Sequence, residues 1–326
     1  MLGWTPASSC IPTPQGASLF EVQNPLHLLM AIHDALVGIM ALTEAGKIHC
    51  DISAFNLLLV DPEKHYKDQG WMKAPKTQPS PTLWDRSAKE AIGTSGNATS
   101  STSARDGEGV CPRLDRVTEL KRGLVCVVHD TEFTIDEERP AGAAYTDWTG
   151  SPAFISGQLL KGFATGKHKV TRMFIHDVES LFWVLVWVVA HRSQKEDTWQ
   201  VSKEAEAVMR KLSESDISKL SEYKRDKICN GGGFQRLVYG FNNDLCQDLA
   251  PVIGQLADFL SAYLYFQPQS LGYVSRFDTL RNAQAQLHKE LTSCSRSTTF
   301  SFLFDILDPA IATLEAKHLA INFGRR

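Results

Sequence analysis

His49-Cys50-Asp51-Ile52-Ser53-Ala54-Phe55-Asn56 is the stretch on which the fold of this 326-residue chain turns. Ahead of it, from Pro25 to Ala45, apolar residues recur at helical spacing: Leu28, Leu29, Ile32, Leu36, Ile39 and Met40. Asn24 can cap that helix, Pro25 suits its first position, and Gly46 can end it. Lys47 to His49 leads into the octapeptide, and Leu57-Leu58-Leu59-Val60 follows as a short buried strand closed by Asp61-Pro62. A helix on one side and a strand on the other make the octapeptide a tight loop. Such a loop fixes Asp51 and Asn56 relative to one another.

Working outward, residues 1–19 are rich in Pro, Gly and Ser without periodicity, so a loose leader is expected there. Residues 63–121 change character. The run Thr94 to Arg105 is nearly pure Ser, Thr, Gly and Asn, which cannot bury enough apolar surface to offset the entropy of ordering. A largely disordered surface insertion is the expectation for 63–121. Order resumes at Gly123 with the β-branched run Leu124-Val125-Cys126-Val127-Val128, a second strand that delivers Asp130. Next come Thr149-Gly150-Ser151-Pro152-Ala153-Phe154 and the apolar pair Leu159-Leu160. From Thr171 to His191 the pattern is a helix apolar nearly all round, which belongs in the middle of a helical domain. Three further helical stretches are predicted, over roughly 201–228, 244–266 and 299–321, with Gly231-Gly232-Gly233 as a flexible turn between two of them.

Composition excludes several classes. The chain is 43% hydrophobic and 22% charged with a net charge of −3, and no basic run is interleaved with aromatics, so nucleic acid is not an expected partner. The seven cysteines are scattered, odd in number and without a Cys-x-x-Cys pair, which argues against a disulfide framework or zinc site and for reduced thiols. The first twenty residues lack a basic start followed by an apolar block. The most apolar stretch, Leu181 to Ala190, is too short to span a bilayer. A cytoplasmic or nuclear location, away from any membrane, is the expectation.

Four local signals follow in an informative order. The loop offers an aspartate that can accept a proton from an attacking hydroxyl, with an amide five residues on that can ligate a metal bridging phosphates. Asp130 offers a second metal-holding carboxylate. The segment from Thr149 follows about twenty residues later. In His176-Asp177-Val178-Glu179-Ser180, at the start of the apolar helix, Asp177 can accept backbone N–H bonds from the loop and hold its shape from below. His49 reads likewise as a support. His129 reads as a polar neighbour, and Trp183 and Trp187 as helix packing.

HCDIS-x-x-N, a strand, HDTEF, TGSPAF-x-S and then HDVESLFWVLVW, in this order, resemble the fungal-type protein kinase family over about residues 18 to 192. Ser53, two positions after Asp51 where many kinases carry Lys, is similar to that family too. The resemblance implies an α+β, mainly helical fold: the C-terminal lobe of a protein kinase over residues 20–326. It also implies transfer of the ATP γ-phosphoryl group to a protein Ser or Thr with Mg²⁺. By resemblance Asp51 is the catalytic base, Asn56 and Asp130 are the metal and cofactor ligands, His49 and Asp177 support the loop, and Thr149 and Gly150 open the segment that positions a protein substrate.

The chain departs from the kinase pattern as well. Cys50 replaces an Arg, so a receiver for a phosphorylated segment is not expected and Thr146 and Thr149 are poor switch sites. Thr131-Glu132 stand where Phe-Gly usually follows the metal-binding Asp, and Gln158 stands where a Glu would close the segment against a buried Arg. Neither Gly-x-Gly-x-x-Gly nor Val-Ala-x-Lys occurs, so most of a small lobe is expected to be missing and catalysis impaired. Three readings stay open: a kinase whose small lobe lies elsewhere, a pseudokinase scaffold that binds a protein partner, and a small-molecule phosphotransferase.

Overall fold

The computed structural model describes residues 16–60, 125–131, 134–136, 150–166, 170–192, 202–265, 289 and 295–323. The chain divides into one unit of Met1–Asp61 with Leu124–Arg326, and a second of Pro62–Gly123. The second unit, and with it the whole of the predicted insertion over 63–121, lies outside the described residues.

Helices dominate, with two small antiparallel sheets, an arrangement compatible with the α+β class. Strand β1 (Gly16–Ser18) leads through a single 3₁₀ turn at Leu19–Glu21 into helix α1 (Pro25–Glu44). The end of the expected leader is therefore structured. Ser18 and Glu21 form a reciprocal capping box, which satisfies backbone donors that a loose leader would leave to water. Helix α1 begins as its sequence predicts: the Asn24 side chain accepts a bond from the His27 N–H at 2.9 Å, with Pro25 at the first position.

Strand β2 (Lys47–Ile48) follows α1, and β3 (Leu57–Val60) follows the loop. Strand β4 (Cys126–Val128) pairs with β3, and β1 pairs with the other edge of β3, giving the order β1-β3-β4 with Ala17 opposite Leu59 and Leu58 opposite Val127. Strand β5 (Ile135–Asp136) pairs with β2, where Lys47 and Asp136 form a cross-strand ion pair. Asp34 of α1, buried, accepts the Val125 N–H at 2.7 Å and pins the start of β4 to the helix.

The remaining described helices are α2 (Gly157–Ala164), α3 (Phe174–Arg192), α4 (Lys203–Leu212), α5 (Ile217–Cys229), α6 (Gly231–Tyr239), α7 (Cys246–Leu260), continued by a π-helical turn at Ser261–Tyr265, and α8 (Arg296–Phe323). The predicted helix over 201–228 is two helices, broken where Asp216 caps α5 by accepting the Ser218 and Lys219 N–H groups. The glycine triplet is the first turn of α6 and no flexible turn, because the Asn230 side chain caps it by accepting the Gly233 N–H at 3.2 Å.

Helix α3 is the axis of the core. Only Trp187, His191 and Arg192 escape full burial along it, and it packs on α1, α4 and α7. Each large apolar side chain fully buried there contributes about 1.5–3 kcal/mol. Both α1 and α3 are long and apolar enough to cross a membrane by length and composition alone, so the ten-residue estimate for the apolar stretch is too short. Burial inside the fold accounts for their character: 61% of the relevant window of α1 and 89% of that of α3 are covered. The four cysteines among the described residues, Cys50, Cys126, Cys229 and Cys246, are free thiols.

Candidate functional site

The octapeptide forms the predicted turn. Ser53 is buried; its hydroxyl accepts the Phe55 N–H at 3.3 Å and its carbonyl accepts the Asn56 N–H at 3.2 Å. Cys50 sits at φ 70°, a left-handed backbone that side chains disfavour, and that conformation reverses the chain before Asp51. The reversal is held from below. Asp177, in the first turn of α3, accepts the His49 N–H at 2.7 Å and the Cys50 N–H at 3.1 Å. Burial pushes the Asp177 carboxyl up to about 7, opposed by those two N–H groups and the Arg172 guanidinium.

His49 is fully buried and bridges the loop to the strand that precedes Asp130. Its Nε2–H donates to the His129 carbonyl at 3.0 Å, while its Nδ1 accepts the Asp51 N–H at 3.3 Å. Those two bonds specify one neutral tautomer. Desolvation holds the imidazole below its ordinary range, partly offset by its bond to His129 and by the Asp51 and Asp130 carboxylates. His49 is therefore a spacer between the loop and the residue before Asp130, with both ring nitrogens engaged.

Asp51, Asn56 and Asp130 meet around this spacer. The Asn56 Nδ2 donates to the Asp51 backbone carbonyl at 2.9 Å, while the Asn56 backbone carbonyl accepts the His129 N–H at 2.8 Å. With its amide nitrogen spent on Asp51, Asn56 keeps its side-chain oxygen as a donor toward a cation. Asp130 sits at φ 63°, at the turn where β4 has ended. The Asp51 carboxyl is raised by burial and by the Asp130 charge; His49, the Asn56 bond and Arg172 pull it back down. Beside the Asp51 carboxylate, Asp130 and Asn56 offer oxygen donors, the kind that suits a hard cation such as Mg²⁺.

Gly150 closes the site from the far side. A Cβ built there would fall 2.8 Å from the Asp51 carboxylate oxygen, and φ is 97°, so this position requires glycine twice over. Thr149, together with Thr146 and Glu132, lies outside the described residues. Phe55, on the rim of the loop, is 69% exposed and meets Phe20 edge-on at 6.1 Å.

Sequence reasoning missed three charged groups. Arg172, buried, donates to the Cys50 carbonyl at 3.3 Å, so a guanidinium reaches the loop from another segment although Cys50 replaces an Arg. Glu179, fully buried two residues beyond Asp177, accepts bonds from the Ser156 hydroxyl, the Gly157 N–H at 2.9 Å, the Trp183 indole at 3.2 Å and the Tyr265 hydroxyl at 3.0 Å. Lys224 of α5, also fully buried, donates to the Ile155 carbonyl at 2.6 Å and the Pro152 carbonyl at 3.1 Å. Burial pulls its ammonium down to about 7 against the attraction of Glu179. Gln158 donates to the Leu264 carbonyl and accepts from His176 at 3.3 Å, so it joins the same assembly as a neutral member. A charged residue inside an apolar helix must be paired, and Glu179 was detectable on that ground. Lys224, in a polar helix, carried no such signal.

Residues 7–73 match the model of the fungal protein kinase family. The match runs through α1, β2, the loop and β3. No curated protein and no solved structure matches the chain.

Proposed function

We propose, from the match of residues 7–73 to the fungal protein kinase family, that the described unit is a kinase-type large lobe whose loop around Asp51 serves phosphoryl transfer from ATP to a protein Ser or Thr. The observation that carries the reading is the shared neighbourhood of Asp51, Asn56 and Asp130 around His49. Asp51 accepts the proton of the substrate hydroxyl; the hydroxyl oxygen bonds the γ-phosphorus as the bond to the ADP oxygen breaks. Asn56 and Asp130 would hold Mg²⁺, which when bound screens the phosphate charge. The close approach of Gly150 to Asp51 supports the segment from Gly150 onward as the floor on which a substrate peptide lies.

A scaffold role without catalysis is the second reading. It is favoured by the absence of a Gly-x-Gly-x-x-Gly loop and a Val-Ala-x-Lys strand from this sequence, because catalysis then needs a nucleotide-holding element beyond these residues.

The test is radiolabelled phosphate transfer from Mg²⁺-ATP to a Ser/Thr peptide, with equilibrium ATP binding on the same samples. Asp51→Asn is expected to cut transfer by orders of magnitude while ATP still binds, and Asp130→Ala to abolish the Mg²⁺-dependent part of binding. A wild-type chain that binds no Mg²⁺-ATP, or an Asp51→Asn variant as active as wild type, sinks the kinase reading.

A further inference from the structure

The segment from Gly150 to Gly157 is fixed at both ends. One end backs onto Asp51. At the other, its backbone polar groups are sorted by type: carbonyls face α5 and donors face α3. The Pro152 and Ile155 carbonyls accept from Lys224 and the Gly157 carbonyl accepts from the Ser221 hydroxyl at 2.8 Å, whereas the Ser156 hydroxyl and Gly157 N–H donate to Glu179. Between the ends, the Ser151 carbonyl accepts the Phe154 and Ile155 N–H groups, closing one tight turn, and Phe154 packs edge-on against Trp187 at 5.6 Å.

The Lys224 ammonium is shielded from water on every side, with the Trp183 ring 5.3 Å from it. A lysine is almost never fully buried unless it is paired, and this one directs its charge at two backbone carbonyls of a single short turn. For packing alone an apolar residue would do. Gln158 is the neutral member the sequence suggests, and the buried charges nearby, Glu179 and Lys224, each bind the backbone of the segment.

We propose that Lys224, seconded by Ser221, is a positioning residue for substrate: it sets the turn 151–157 and so holds Gly150 and the peptide floor against Asp51. This rests on the kinase reading for the word substrate, while the positioning itself is a statement about the turn. A clamp of this kind acts on the binding of the peptide and not on the nucleotide, whose proposed ligands Asn56 and Asp130 lie outside it.

The experiment is hydrogen exchange on the full chain, wild type against Lys224→Met and the milder Ser221→Ala, alongside peptide and ATP kinetics. Exchange at the amides of 153–157 is expected to quicken about tenfold in Ser221→Ala and more in Lys224→Met, while the His49 and Cys50 amides, held by Asp177, stay as in wild type. KM for the peptide is expected to rise on the order of tenfold with KM for ATP unchanged, and Lys224→Arg to restore part of it. Unchanged exchange at 153–157, a uniform rise along the whole chain, or a local rise that leaves peptide KM untouched each overturns the proposal. Should Lys224→Met fail to fold, Ser221→Ala decides by the same readouts. If the wild type transfers no phosphate, the kinase reading falls, and the exchange pattern alone still judges the clamp.

Discussion

Asp177 and Glu179 are two acids two residues apart on one buried helix, and they hold different halves of the site. At about 100° per residue their side chains leave α3 roughly 200° apart. Asp177 turns to the loop and takes two N–H groups from His49 and Cys50. Glu179 turns to the segment and takes four donors, from Ser156, Gly157, Trp183 and Tyr265. One helix therefore registers the proposed base against the proposed peptide floor. The asymmetry in partners teaches where the structure is most costly to disturb: the carboxylate with more donors leaves more buried groups stranded when it is lost.

Truncating each acid tests that asymmetry. Glu179→Ala is expected to cost about 3–5 kcal/mol in urea unfolding, since it strands four donors and leaves Lys224 buried without its counter-charge. Asp177→Ala is expected to cost less, about 2–4 kcal/mol, and to speed exchange at the His49 and Cys50 amides first. Equal costs would mean that the two halves are not independently held.

Gly157 sharpens the segment side. A Cβ there would meet the Tyr265 hydroxyl at 2.7 Å and Lys224 Cβ at 3.3 Å. Gly157→Ala is expected to cost about 1–3 kcal/mol, with part recovered when Tyr265→Phe removes the obstructing oxygen. The double-mutant cycle measures the coupling.

His176 lies next to Asp177 and reaches Gln158 on the segment. Burial, with Arg172 adding its charge, lowers it to about 3, so it stays neutral: its Nδ1 accepts the Met173 N–H at 3.0 Å. A depressed folded value means stability present above pH 6.5 and lost as pH falls from there towards 3. Over that window wild type is expected to lose about 1.4 kcal/mol per pH unit relative to His176→Gln, which binds no proton. Urea melts of both proteins at pH 7 and pH 5 measure the slope; parallel behaviour would show that His176 is accessible to protons.

The smallest expected effect is electrostatic. Arg172 holds the Asp51 carboxyl down against burial and Asp130. Arg172→Met should move the Asp51 titration, followed by carbon-detected NMR, to higher pH. A downward shift would remove Arg172 from the site.

Much of this was readable from local pattern. The helix from Pro25, its Asn24 cap, the loop and strand β3 follow from residues close together in the chain, where spacing and capping chemistry act directly, while the Asp177 support, 128 residues from His49, came from the order of the motifs. The reading went wrong where a local rule met a capping side chain out of its view: Asp216 split one predicted helix in two, and Asn230 recruited a glycine triplet into α6. Arg172, Glu179 and Lys224 were passed over as site residues because their partners lie far away in sequence, at Cys50, Ser156 and Ile155 among others.

By itself the sequence determined which groups are able to carry the proposed chemistry and in what order they come, since a proton acceptor, an amide and a second carboxylate are properties of side chains at given positions. Only the tertiary structure decided which buried charges face which backbone groups. Burial makes an unpaired charge or carbonyl too costly to tolerate, and its partner is chosen by proximity in space, which the order of residues along the chain does not record.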